Sequence, residues 1–91
     1  MISRILPNET SRFGILINTK DNDYLKEFGK HLKKLREDSG MSQEELANNA
    51  EVSLPQITRI ERGTVNTTIC TIKALAKGLS LKTSEMFGFE K

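Results

Sequence analysis

The sequence predicts an all-α domain built from five short helices. Apolar residues recur at spacings of three and four in several stretches, which is the period of an amphipathic helix. Residues with capping side chains precede these stretches, and glycines follow them. Aromatic residues make up 5% of the 91 residues and charged residues 29%, which suits a small helical domain better than a sheet sandwich. A chain of this length is expected to form one domain.

The first helix is predicted over about residues 23–39. Asp21, Asn22 and Asp23 offer a cap and a negative charge at its start, which the helix dipole favours. Gly40 ends it. The helix carries an apolar stripe at helical spacing: Leu25, Phe28, Leu32 and Leu35.

Residues 42–63 predict two short helices joined by a tight turn. Ser42 can cap the first of them, and Glu45, three residues later, completes a capping box. Met41 and Leu46 flank this start with the spacing of a hydrophobic staple. The first helix of the pair therefore begins next to Ser42.

The same pattern repeats at Ser53, with Gln56 predicted to close a second capping box. Val52 and Ile57 form the second staple, and Gly63 stands where a left-handed residue ends a helix. The two capped starts leave room for only about two turns of the first helix. This size and order predict a helix-turn-helix.

The ordered set of residues resembles the lambda-repressor-like helix-turn-helix family, also called the Cro/phage repressor or XRE family. The matching positions are Leu35-Arg36, Gly40, the run SQEELA at 42–47, Ile57 and the run IERG at 60–63. Residues 66–87 resemble the two closing helices of that family. The resemblance implies a compact five-helix lambda-repressor-like DNA-binding domain over residues 23–88.

The function that the resemblance implies is sequence-specific binding of double-stranded DNA by a small transcriptional regulator, expected to be a repressor. The second helix of the pair, residues 54–62, would enter the major groove, as in other helix-turn-helix proteins. Arg59 can donate two hydrogen bonds to a guanine. Thr58, Leu54 and Pro55 are the other expected base contacts, although Leu54 and Pro55 offer only apolar contact with a thymine methyl group.

Phosphate contacts are expected from donors around the groove. In the family, the glutamine at the position of Gln43 binds backbone phosphate, and the helix N-terminus beside it adds partial positive charge. The predicted phosphate contacts are Gln43, Ser53, Arg62, Thr64 and Asn66. Lys33 and Arg36 are weaker candidates. The resemblance also implies a buried arginine–glutamate pair, here Arg36 with Glu61.

The C-terminal part predicts two further helices. Thr68 can cap a helix through Leu79, whose apolar face is predicted to hold Ile69, Ile72, Leu75, Ala76 and Leu79. Cys70 is expected on or beside that face as a small buried apolar side chain. A last short helix over residues 83–87, capped by Thr83 or Ser80, carries Met86 and Phe87, and a homodimer is expected to form through these two residues.

Residues 1–22 are the least informative part and are expected to form an arm, either flexible or a short strand over 13–17. The strand could pack on the domain or pair with a second subunit. In a sharper alternative, Arg4, Arg12 or Lys20 touches phosphate or the minor groove. The arm could also add to the dimer surface.

Other functional classes leave little trace in the sequence. His31 has no second ligand at metal spacing, a nucleophile–base pair is not evident, and neither an enzyme nor a cofactor is expected. Two alternatives to an independent regulator stay open: an antitoxin or interaction module with a toxin-like partner, and a restriction–modification controller. A cytoplasmic, prokaryotic protein is expected, with no membrane association.

Overall fold

The computed structural model describes residues 21–91, and within this range it contains four α-helices and one 3-10 helix. Helix α1 spans Asn22–Asp38, α2 spans Gln43–Ala50, α3 spans Leu54–Arg62, α4 spans Ile69–Gly78 and the 3-10 helix spans Thr83–Phe87. The predicted all-α class is confirmed, with the last of the five helices wound as a 3-10 helix. The predicted arm over residues 1–22 lies outside the described residues, except for the last two, where α1 begins.

The predicted caps position the helices of the central pair. The hydroxyl of Ser42 accepts the Glu45 N–H at 3.0 Å, and the Glu45 carboxylate accepts the Ser42 N–H at 2.8 Å. At the start of α3, the hydroxyl of Ser53 accepts the Gln56 N–H at 3.3 Å. The second box is only half formed, because the Gln56 side chain lines a cavity beside the helix instead of returning to the cap.

The end of α3 depends on glycine for two reasons. Gly63 has a φ of 74°, in the left-handed region that disfavours other residues. A Cβ atom at this position would also lie 2.7 Å from the Cα of Lys26. The predicted C-terminal glycine is thus also the point where the chain passes close to α1.

One apolar core joins all five elements. Helix α1 packs against α3 and the 3-10 helix, while α2 packs against α3 and α4. The buried side chains of this core are Phe28, Leu32, Leu46, Ala47, Ala50, Ile57, Ile60, Leu75, Ala76, Leu79 and Met86. Because the inner residues of α3 belong to this core, the orientation of its outer face is fixed. No helix within residues 21–91 is long and apolar enough to cross a membrane.

The start of α4 differs from the prediction. Ile69 is 80% exposed, and Cys70 is also exposed; neither lies on the core face. Both occupy the first turn of α4, where a side chain leans back over the N-terminal turn, and the core begins only with Ile72 and Leu75. The predicted helix is present, but the spacing of its apolar residues does not show at which residue its buried face begins.

The 3-10 helix also corrects two predictions. Met86 is fully buried in the core, at 0% exposure, so its side chain is not available to a second subunit; Phe87 is half-buried and packs on Phe28. The N-cap is Lys82 rather than Thr83 or Ser80. The Glu85 carboxylate accepts the Lys82 N–H at 3.0 Å and so satisfies this donor without a capping hydroxyl.

The packing continues past Gly88. Phe89 lies against Tyr24 and His31 of α1, with ring centroids 5.4 and 5.5 Å apart, and the Tyr24 hydroxyl donates a hydrogen bond to Glu90. His31 is half-buried, with its Nε2 atom 2.9 Å from the Glu85 carbonyl oxygen. Aromatic contacts therefore pack the residues after Gly88 against α1.

Candidate nucleic-acid interface

The outer face of α3 carries most of the predicted base contacts. Ile57 and Ile60 hold the helix in the core with exposures of 0% and 2%. Leu54 is 40% exposed, and Pro55, Arg59 and Arg62 are exposed as well. The helix thus presents an apolar first turn followed by two arginines.

Thr58 is placed differently from the other predicted base contacts. It is half-buried, and its hydroxyl lies 3.0 Å from the Oε1 atom of Gln43 and 3.2 Å from the carbonyl oxygen of Leu54. Both atoms are acceptors. The structure therefore brings Thr58 together with Gln43, which was predicted separately as a phosphate contact.

Beneath these two residues lies an ion pair between α1 and α3. Arg36 donates from Nε to Glu61 Oε2 at 2.6 Å and from a second nitrogen to Oε1 at 3.0 Å. The two side chains are 9% and 4% exposed. Arg36 is therefore not a phosphate contact; the hydrogen bond and charge of Glu61 raise its pKa against the opposing effect of burial.

Gln43 links the ion pair to the surface. Its Nε2 atom donates to Glu61 Oε1 at 2.9 Å, while its Oε1 atom accepts from Thr58. Gln43 is the first residue of α2 and is half-buried. A continuous chain of hydrogen bonds therefore runs from Arg36 through Glu61 and Gln43 to Thr58.

A cavity of about 280 Å³ lies between α3 and the connection to α4. Two capped helix starts meet here, since Ser53 and Thr68 both line it. The Thr67 hydroxyl is buried without a hydrogen-bond partner among residues 21–91. The cavity is lined by Ser53, Gln56, Arg59, Val65, Asn66, Thr67 and Thr68.

Three predicted site residues, Ser53, Arg59 and Asn66, are brought together at this cavity. Thr64 lies at the far end of α3, where its hydroxyl donates to the Arg59 carbonyl oxygen at 3.1 Å, and Arg62 is exposed in the last turn. Sequence reasoning missed Gln56, Thr67 and Thr68 as members of this surface. The sequence signal that could have found them is the pair of capping residues, Ser53 and Thr68, at the two ends of residues 54–67.

A family model described as Helix-turn-helix, HTH_3, matches residues 32–86. The chain belongs to the HTH_3 (XRE-type) helix-turn-helix family. It is a DNA-binding transcriptional regulator. The comparison with curated proteins gave no match.

Solved structures agree with this assignment. The restriction–modification controller protein C.AhdI from Aeromonas hydrophila is 34% identical with a TM-score of 0.70, and the match covers 71% of this chain and 98% of that one. The wild-type controller C.Esp1396I is 33% identical with a TM-score of 0.65, over 70% and 83% of the two chains. An HTH_3 family transcriptional regulator from Vibrio cholerae is 32% identical with a TM-score of 0.72, over 76% of this chain and 39% of that one.

Proposed function

We propose that this regulator binds a specific DNA sequence as a homodimer and represses transcription, with α3 in the major groove of each half-site. The observation that carries the proposal is the two-sided character of α3. Its isoleucines are buried in the core, while its other side exposes a compact face with Arg59 at the centre. A helix of this width fits the major groove.

Arg59 is the residue proposed to carry specificity. Its guanidinium can donate two parallel hydrogen bonds to guanine O6 and N7, the commonest specific contact of an arginine. Leu54 and Pro55 expose only apolar groups near it, which suits contact with thymine methyl groups. Thr58, which was expected to contact a base, lies half-buried at the edge of this surface beside Gln43.

The phosphate contacts are proposed at both ends of α3. Ser53 and Asn66 border the cavity, where the N-termini of α3 and α4 place partial positive charge. Gln43 lies at the N-terminus of α2. Arg62 and Thr64 follow at the other end of α3 and would meet the second strand.

A second copy of the chain is the proposed protein partner, and the start of α4 is its proposed contact surface. Ile69 is by far the most exposed large apolar side chain within residues 21–91. Its neighbour Thr68 lines the cavity beside Arg59. Dimers of helix-turn-helix proteins bind half-sites about 34 Å apart.

The control of a restriction–modification system is the more specific role that the comparisons favour. Two of the similar structures are controller proteins of such systems, and the first is covered over 98% of its length. This role is proposed over that of an antitoxin. The proposed location is the prokaryotic cytoplasm, on the nucleoid when bound to DNA.

Two matched variants test the proposed roles on a duplex selected from a random library. Arg59→Ala should weaken binding by about tenfold to a hundredfold and relax the preference at one base pair. Arg62→Ala, on the same helix, should weaken binding to all duplexes alike and lower the salt slope by about one. If Arg59→Ala leaves the sequence preference intact, α3 does not contact bases as proposed.

A further inference from the structure

The hydrogen-bond chain from Arg36 to Thr58 fixes which atoms of Gln43 face which neighbour. The Glu61 carboxylate, with its ion pair to Arg36, can only accept, so the NH₂ group of Gln43 must point toward it. The Gln43 oxygen then faces Thr58, which donates to it at 3.0 Å. A rotation of the amide by half a turn would place two acceptors against each other at Glu61.

The Thr58 hydroxyl has a single proton, and both acceptors within its reach belong to the protein. They are Gln43 Oε1 and the carbonyl oxygen of Leu54. This proton is used inside the protein in either case, so Thr58 is not equipped to donate to a base edge. Its methyl group and its lone pairs are what remain for the groove.

The Gln43 amide, in contrast, keeps one donor. Its NH₂ group carries two hydrogens, and one of them is bound by Glu61 at 2.9 Å. No second acceptor for this group lies within residues 21–91. The side chain is half-buried at the N-terminus of α2, where backbone N–H groups and the helix dipole attract an anion.

We propose that Thr58 is a positioning residue, which acts on DNA through Gln43 rather than by contact with a base. Thr58 and Glu61 hold the Gln43 amide from its two ends and direct its second N–H toward a backbone phosphate. This proposal rests on the proposed function. It gives Thr58 a role in binding the DNA backbone instead of a base contact. Arg59 is then the residue of α3 that forms specific hydrogen bonds with bases.

The test compares Thr58→Val, which removes the hydroxyl and keeps the shape, with Thr58→Ser, which keeps the hydroxyl. Thr58→Val should reduce affinity about threefold to tenfold, the range for loss of one hydrogen bond, and by the same factor for every single-base variant of the selected duplex. Thr58→Ser should retain most of the affinity. The salt slope should stay unchanged in both, because a neutral amide releases no counterion.

A double-mutant cycle shows whether Thr58 acts through Gln43. In a Gln43→Ala background, Thr58→Val should cause no further loss of affinity, since nothing remains to be positioned. Additive losses, or a loss confined to one base pair, would overturn the proposal. Failure of the proposed function is a different result, since the wild-type protein would then not discriminate between duplexes at all.

The cycle uses variants that leave the ion pair intact. Replacing Glu61 would leave the buried Arg36 without its partner and would perturb folding. Nuclear magnetic resonance signals of the Gln43 side-chain NH₂ in the free protein provide a second readout. Thr58→Val should shift these signals while Thr58→Ser leaves them in place; unchanged signals in Thr58→Val would contradict the proposed contact.

Discussion

Arg36 and Glu61 form a buried ion pair that ties α1 to the last turn of α3. The Nε–Oε2 distance is 2.6 Å, and the side chains are 9% and 4% exposed. Arg36 also donates to the Met41 carbonyl oxygen at 2.7 Å, so it fixes the loop before α2 as well. The pair holds three segments in register at the base of the proposed DNA-binding surface.

Breaking this pair should destabilise the domain strongly. Glu61→Leu leaves a buried guanidinium without its partner, and such changes cost about 3–5 kcal/mol. The double variant Arg36→Met/Glu61→Leu should lose less than either single variant, because it leaves no unpaired buried charge. Unfolding in urea measures these differences, and equal losses in the single and double variants would show that the pairing itself contributes little.

Gly29→Ala should destabilise the protein although alanine is the better helix former. A Cβ atom at residue 29 would lie 2.6 Å from the Glu61 carbonyl oxygen, so α1 and α3 would have to separate. Overpacking of this kind costs about 1–3 kcal/mol. Gly78→Ala is the matched control, since its Cβ would lie 3.0 Å from the Cβ of Ala50; unfolding measurements should find the smaller loss there, and a stabilised Gly29→Ala would refute the close approach.

The Tyr24 hydroxyl should titrate at unusually high pH. Its hydrogen bond to Glu90 is the main cause that raises its pKa from 10.0 to about 12. Since the chain has one tyrosine and no tryptophan, the ultraviolet absorbance of tyrosinate reports this group alone. Glu90→Gln should move the pKa back toward 10.0, and an ordinary pKa in the wild-type protein would contradict the contact.

The same bond determines the sign of a pH effect on stability. The folded-state pKa is raised, so the contribution of this bond is fully present below about pH 10, the ordinary pKa of tyrosine. It is lost as the pH rises toward 12. Tyr24→Phe should remove this part of the alkaline decline in the free energy of unfolding, as followed by urea titration at several pH values; an identical decline in both proteins would contradict this contribution.

Ile69→Asp should convert the proposed dimer into a monomer. An aspartate at each side of a two-fold contact would bring like charges together and remove the apolar contact. Leu54→Asp is the matched control, because it places the same charge on the exposed face of α3. Sedimentation should show a monomer for the first variant and a dimer for the second; a dimer in both would place the interface elsewhere.

Local sequence signals predicted the central pair of helices well. Ser42 and Glu45 are joined by two reciprocal side chain–backbone hydrogen bonds over three residues, so their role follows from spacing alone. Gly63 is likewise marked by its position after a helical run. Ile57 and Ile60 lie three residues apart, which is the spacing of one helix face, and both are buried.

Features that depend on tertiary packing were not predictable in the same way. The contact between Gln43 and Thr58 requires the crossing of α2 and α3, which no local pattern encodes. Ile69 fits the helical period, yet it lies beyond the edge of the core. Met86 and Phe87 are neighbours in a single 3-10 turn, where periodicity gives no indication of which side chain is buried.

The most direct test of the central claim is the affinity of the wild-type protein for DNA. Fluorescence anisotropy should compare the duplex upstream of its own gene with a shuffled duplex, at about 150 mM salt. Binding at least about a hundredfold tighter to the native duplex would agree with a specific, self-regulating DNA-binding protein. Equal, weak binding to both duplexes would leave only the electrostatic attraction to phosphate and would contradict specific recognition of this site by α3.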